Sequence, residues 1–565
     1  MIAAALAATG LAYATLDTRF LLGVGGRWEQ PDNDTAAYMT AWNYFINDAW
    51  RFPIFSVPGM GYPEGGSVLF NDALPLTALV TKILYALTGL KINPFGFWNL
   101  LTYVLQGVFA ARLMFALGAR SLPASLTASI LTVTCTGFMR RMVHTAVSSH
   151  FLILWGLALY FENRRGHKRL GELWVLAAVT LLVNSYLFAM VMALHAVTLL
   201  SLAIDRRLDR RDLRIVAVGF ASVVGLGLAA GYGIMVTNPS SMQATGFGLY
   251  SWNAVGLLVP RWIDVIRDAT GGQYEGESYI GLGALLVLTL AIVARPAEAV
   301  RRLRAHWLFA SLLLSFAVFA ASNRVYAGGT LIVSYYLPPQ LEGLGSLFRA
   351  TGRFIWPVAY ALVGLSTAAM FRWLRPSIAF VLAAAAVWLQ LQEAQPVQHY
   401  YRTITGRADA EGIDRERLGK LMGGHRRVWQ FPSYYCGGLA GPARRWGSLD
   451  ANRELQLQVL AARAGVPMNS IYMSRMLKDC AREKEWADAP RLEDGVLYVL
   501  SWKTTLETPS IATAVAAGPC IGLSWAILCS TTFTSPPQPG PAPRVQESSE
   551  TRRSGDASGR FVDRK

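Results

Sequence analysis

Apolar runs of roughly 15 to 23 residues recur between residues 170 and 380, and short arginine clusters break them at intervals. About 30 Å of hydrocarbon demands helices of that length and leaves no backbone polar group unsatisfied, so a chain patterned this way threads a membrane repeatedly. The bulk numbers agree, because 53% of the 565 residues are apolar and 16% are charged. That is too long for one soluble domain and too greasy for several. The fold class expected is an all-α polytopic membrane protein of about 11 transmembrane helices, followed by a small α/β domain outside the cytoplasm.

The formal charge of +16 invites a nucleic-acid reading, but the basic residues are not interleaved with aromatics on a soluble face. They sit between spans. Arg120, the groups at 164–169, 206–214 and 295–304, and Arg372 with Arg375 fall in every second connection, as cytoplasmic loops do. Two crossings must then lie between successive groups. The spans expected are 2–22, 95–117, 121–139, 148–162, 168–185, 187–204, 214–236, 279–294, 305–321, 354–374 and 377–392. The N-terminus is thus cytoplasmic and the C-terminus outside. The stretch 173–204 is short for two crossings and breaks at Asn184-Ser185-Tyr186, while 74–90 carries Lys82 and reads as a surface helix.

Long outer loops at 23–94, 237–278 and 322–353 contrast with short inner ones. The expected division is a transmembrane domain over 1–394, a small α/β domain over 395–532 and a disordered tail over 533–565. Within it, a helix over 34–49 is capped by Asp32 or Asp34, strands lie at 427–431 and 496–502, and helices near 452–462 and 471–482. The run 511–528 reads as strand and turn rather than a twelfth span, since Gly518, Pro519 and Gly522 interrupt it. Cys436, Cys480, Cys520 and Cys529 form an even set after the last span, which suits disulfides in an oxidising compartment, with the pairing open.

Four clusters could carry chemistry. Asp32 and Asp34, with Asp72 in a second place, stand in the first outer loop, where a carboxylate can deprotonate a hydroxyl or hold a divalent ion such as Mg or Mn; helix capping is the plainer role. No other cofactor is indicated. Arg140 and Arg141 lie with His144 and His150 at an outer helix end that short loops normally keep free of positive charge, so either a lipid phosphate or headgroup anchoring accounts for them. Arg349 and Arg353 are four apart, so on one helical face they would make a fork for two phosphate oxygens. Tyr250, Asn253, Glu275 and Tyr279 offer the aromatic faces and hydrogen-bonding groups that a sugar ring needs. Soluble-enzyme signatures such as a phosphate loop, His-Glu-x-x-His or Gly-x-Ser-x-Gly do not occur.

Several strings together resemble the GT-C class of integral membrane glycosyltransferases, in a bacterial branch mostly described as domains of unknown function. They are Asp34-Thr-Ala-Ala-Tyr38 with Trp42, Asn71-Asp72-Ala-Leu-Pro75-Leu76, Arg141-x-x-His144 with His150, Gly246-Phe-Gly-Leu-Tyr-Ser-Trp-Asn253, Gln273-Tyr-Glu-Gly with Tyr279-Ile-Gly-Leu-Gly283, and Phe348-Arg349-x-x-Gly352-Arg353-Phe354. The resemblance covers about residues 21 to 529. It implies transfer of a sugar from a polyprenyl-phosphate donor to a glycan or lipid acceptor at the periplasmic face of a bacterial inner membrane. It also implies Asp34 as the catalytic carboxylate, Asp72 as a second, and Arg349 and Arg353 on the lipid phosphate. The paired acidic motif of many class members is only approximated by Asp32-Asn33-Asp34. Three rivals are a lipid-linked glycan flippase or transporter, a glycan polymerase or ligase, and a non-catalytic assembly factor. Spans from 214–236 through 377–392 hold no Asp, Glu or Lys, and no repeated half is visible, which disfavours transport.

Overall fold

The computed structural model describes residues 1–237, 247–260, 268–407, 413–434, 436, 449–475 and 479–533. Gly246 and the tail beyond residue 533 lie outside these residues. A helix occupies each of the eleven segments expected to cross. Among the described residues, five are long and apolar enough to do so: Phe95–Leu117, Ser185–Ile204, Arg210–Ala230, Thr351–Trp373 and Pro376–Gly406. A sixth candidate is a pair, Leu282–Ala294 and Pro296–Ala305, bent by 96°. The second member was expected as a loop. Pro296 opens it at the first helical turn, and Glu298 pairs with Arg301 and Arg302 along one face, so it forms a helix despite its charge.

The shorter apolar helices are cut off by local chemistry. Ser121 accepts from the Ala124 amide and starts Leu122–Val133. Asn184 accepts from the amides of Tyr186 and Leu187, which places the break between Leu170–Leu181 and Ser185–Ile204 where the sequence suggested.

Two compact units emerge. The first comprises Met1–Gly26, Ile92–Leu228 and Gln243–Arg407; the second comprises Arg27–Lys91, Ala229–Met242 and the chain from Ala408 on. The first loop therefore folds with the C-terminal segment, and the Pro376–Gly406 helix runs unbroken through the expected division at 395.

In the first unit, helices close on small residues, as they must where lipid removes the hydrophobic drive between them. A Cβ on Gly107 would meet Ala4 O and Ala8 Cβ at 2.8 Å, and one on Gly283 would meet Ala386 O at 2.0 Å. Leu131, Ile280, Val287, Val363 and Met370 fill the centre.

The second unit is α/β. Arg427–Phe431 pairs in parallel with Val496–Leu500, which pairs antiparallel with Ile527–Cys529, itself antiparallel to Cys520–Gly522. Disulfides join Cys436 to Cys480 and Cys520 to Cys529, while Cys135 is buried and free. The run 511–528 thus becomes the end of the Pro509–Ala517 helix and a stapled hairpin. The helix expected over 471–482 starts only at Cys480, with Asp479 capping it. Its first part instead bonds to the first loop, where the Tyr472 carbonyl accepts from Asn71 and the Ser474 amide donates to the Phe70 carbonyl at 2.7 Å. On the first-loop side, Tyr44 donates to the Val466 carbonyl at 2.7 Å, and Trp42 donates to Thr81 of the Pro75–Thr88 helix at 3.0 Å. Lys82 is buried, its Nζ over the rings of Phe45 and Trp50, which explains how an apolar helix accommodates it.

Candidate functional site

In the first unit, the site is built from the loop at Tyr250 and two short 3-10 turns, Gln273–Gly276 and Thr351–Ile355. Gly352 and Gly276 press backbone on backbone: a Cβ on Gly352 would lie 2.8 Å from the Gly276 Cα and 2.9 Å from the Tyr250 carbonyl oxygen, which accepts from the Gly352 amide at 2.9 Å. This contact is what the glycines of the Gln273-Tyr-Glu-Gly and Phe348-Arg-x-x-Gly strings are for, and it brings the arginine-bearing turn against the aromatic loop.

At that junction Glu275 is 3% exposed. Its Oε2 accepts from Arg141 at 2.9 Å and from Arg353 Nε and Nη2 at 3.1 and 2.9 Å, while Arg141 also donates to the Tyr274 carbonyl. Burial alone would raise the Glu275 pKa, but Arg353, Arg141 and His144 outweigh it and hold the carboxyl far below the usual glutamate range. Two guanidiniums thus share one carboxylate oxygen.

The fork expected of Arg349 and Arg353 does not form on one helical face. Residues Thr351–Ile355 adopt a 3-10 turn that begins after a break at Ala350, where Gly352 is pulled onto Tyr250. Arg353 turns inward to Glu275 and over the Tyr186 ring at 4.6 Å, and Arg349 stays half-exposed with its guanidinium 4.8 Å from the Tyr250 ring centroid. The histidines part as well. His144 is half-buried near Glu275, whereas His150 is fully buried, 4.1 Å from the Trp356 ring and bonded through Nδ1 to the Tyr360 hydroxyl at 2.6 Å. Asn253 spends its amide on Gln273 and on both main-chain groups of Gly328. Tyr279 donates to Glu393 at 2.7 Å. Of the residues expected to touch substrate, Arg349, His144 and Tyr250 are therefore the surface members, and Arg141, Arg353, Glu275, His150, Asn253 and Tyr279 form the frame beneath.

Sequence reasoning missed two frame carboxylates. Glu277 accepts from Thr136 at 2.9 Å, and Glu393 accepts from Tyr279 and from the Leu282 amide. The spacing of Gln390 and Glu393, three apart within the Pro376–Gly406 helix, was the available signal; Gln390 donates to the Ile280 carbonyl at 3.0 Å.

In the second unit, Asp32 takes the plain role. It caps the Asn33–Asn47 helix in a capping box with Thr35 and is ion-paired to Arg27. Asp34 stands half-exposed in the first helical turn, just after Asn33 at φ 39°. Asp72 lies at φ 51° and Leu74 at φ 50°, immediately before Pro75 opens the next helix. A left-handed leucine costs roughly 1–2 kcal/mol, and such strain persists only where neighbours impose it.

The family model for Domain of unknown function (DUF6311) matches residues 5–395, and that for the DUF6311 C-terminal domain matches residues 417–517. The chain belongs to this family. No curated protein matches it. Among solved structures, it is similar to the arabinofuranosyltransferase AftD from Mycobacteria, at 14% identity and a TM-score of 0.48, over 88% of this chain and 35% of that one. It is also similar to an oligosaccharyltransferase of Archaeoglobus fulgidus tethered with an acceptor peptide, at 11% identity and a TM-score of 0.42, over 92% of this chain and 72% of that one. The chain thus spans about a third of the first of these proteins.

Proposed function

We propose that this DUF6311 protein is a membrane glycosyltransferase that moves a sugar from a polyprenyl-phosphate donor to a glycan or lipid acceptor at the periplasmic face of a bacterial inner membrane. The observation that carries this reading is the paired use of Arg141 and Arg353 on one buried Glu275 oxygen, beneath the half-exposed Arg349 and His144. Such a frame concentrates positive charge in a low-dielectric setting, where a phosphate oxyanion gains most from it. A guanidinium lying over a tyrosine face is also held in a plane suited to a phosphate's two oxygens.

In the reaction, Asp34 takes the proton from the acceptor hydroxyl. The acceptor oxygen bonds to the sugar's anomeric carbon as the bond from that carbon to the phosphate oxygen breaks, and the electron pair leaves with the polyprenyl phosphate. The anomeric centre is inverted. The charge that grows on the departing phosphate calls for a cationic partner, and Asp72 serves as a second carboxylate toward the acceptor.

Arg349→Ala should therefore raise the KM for the lipid-phosphate donor about tenfold to a hundredfold while leaving the melting temperature near that of the wild type, since one charge-assisted contact contributes about 1.5–3 kcal/mol. Donor titration of initial rates measures this, and an unchanged donor KM would remove Arg349 from the site. Product size separates single-sugar transfer from polymerase or ligase activity.

A further inference from the structure

Between the helix Trp307–Ala321 and the Arg349 turn, the first unit carries a two-stranded ribbon, Arg324–Ala327 paired antiparallel with Thr330–Ser334. The Tyr335 amide donates to the Asn323 carbonyl and its hydroxyl to the Ser322 carbonyl, each at 3.1 Å, so the base of the ribbon is closed on the end of that helix. The Ala254 amide donates to the Tyr326 carbonyl at 2.8 Å, and Asn253 holds both main-chain groups of Gly328, which fixes the first strand to the aromatic loop. The second strand is left as the outer edge.

That strand is bare on both faces. Leu331 and Val333 point to one side and Ile332 to the other, and they are 48%, 48% and 58% exposed; Tyr336, just beyond, is 81% exposed. No charge or proline blunts the run from Thr330 to Tyr336. In water such an edge invites pairing with other chains, which is why soluble proteins place Lys, Pro or a bulge there. Hydrocarbon does not suit it either, because the outward N–H and C=O groups would find no partner. Both conditions are met in the interfacial layer of a membrane, where apolar side chains reach the acyl boundary, water still meets the backbone and tyrosines rest at headgroup depth. A partner strand would cover the edge and leave the faces bare, whereas a lipid layer covers faces as well. The surface leading into the ribbon is of the same kind: on the preceding helix Trp307, Leu314 and Val318 form an exposed apolar stripe, opposite the buried Phe309, Phe316 and Ala320, and in a membrane protein lipid covers such a stripe.

We infer that the ribbon, with Tyr335 and Tyr336, is an interfacial lipid anchor that dips into the headgroup layer. Arg349 lies over Tyr250, three residues before Asn253, so the anchor keys the Arg349 turn to the membrane surface. The lipid contact itself does not rest on the glycosyl-transfer reading.

The test places an environment-sensitive fluorophore on Ile332→Cys, and separately on Tyr336→Cys, in the full chain reconstituted in phosphatidylcholine vesicles. Cys135 is buried and the other four cysteines are paired, so wild type treated with the same reagent gives the background. Both replaced side chains are exposed, and both variants should keep the wild-type melting temperature. Each label should emit to the blue of its value in water and lose most of its intensity when nitroxide lipids carry the spin near the headgroup, with a smaller loss when the spin sits at mid-chain. Emission as in water without quenching would place the ribbon in solvent. Blue emission without quenching would mean that protein, such as a second copy of the chain, covers it, and stronger quenching from mid-chain would sink it in the hydrocarbon. Any of these three results would overturn the anchor. Sugar transfer is not read, so failure of the transfer reading leaves the outcome standing.

Discussion

Asp34→Asn should lower the turnover of sugar transfer by about 10²–10⁴-fold, the usual contribution of a positioned general base. The amide keeps the size of the carboxylate, and Asp34 is neither the cap of its helix nor buried, so the melting temperature should stay close to that of the wild type. Asp32→Ala is the informative control. It disturbs the capping box and the pair with Arg27, and should cost about 0.5–2 kcal/mol of stability with turnover per folded molecule largely kept. If the two variants behaved the other way round, with Asp32 controlling turnover and Asp34 only stability, the assignment of base and cap would be reversed.

Glu275→Ala should be the most damaging single change to the fold of the first unit. It strips the shared counter-charge from Arg141 and Arg353, which are 3% and 5% exposed, and breaking a buried ion pair on one side costs about 3–5 kcal/mol. Thermal unfolding in detergent would register this as a large drop in melting temperature. The combination Arg141→Met, Glu275→Leu and Arg353→Met should recover most of the loss, because apolar replacement removes the uncompensated charge, yet it should remain inactive toward a phosphate donor. The pH response follows from the same group. Its carboxyl is a stronger acid in the fold than in the unfolded chain, so its stabilisation is fully present above the ordinary value of 4.5 and is lost only as the pH falls through the lowered folded value. This cluster should therefore contribute no loss of stability between about pH 7 and pH 5, and a melting temperature of Glu275→Ala that converged on wild type within that window would contradict it.

The helices and the two longer strands were legible because they answer to local signals. Apolar length, arginine clusters and caps such as Asn184 act within one element, and 427–431 and 496–500 are rich in β-branched and aromatic residues. What local pattern could not supply was pairing across hundreds of residues. Residues 471–475 fall in a segment expected as helix, and their backbone bonds instead to Asn71 and Phe70 of the first loop. In the same way, the spacing of Arg349 and Arg353 pointed to a shared face, but the contact of Gly352 with Gly276 breaks the helix and sends the two guanidiniums apart. The candidate residues were found by type and place, whereas their sorting into surface and frame needed three dimensions: nothing in the sequence distinguishes His144 from His150, of which one lies near the charged cluster and the other is sealed against Trp356.

The most direct measurement is a transfer assay with the purified full chain in liposomes, a radiolabelled polyprenyl-phosphate monosaccharide and cell-envelope glycans as acceptors. The expected result is one sugar added per acceptor, with free polyprenyl phosphate released in equal amount and the anomeric configuration inverted. Donor that stays intact in the presence of folded protein, or that crosses the bilayer without its sugar bond breaking, would contradict a glycosyltransferase.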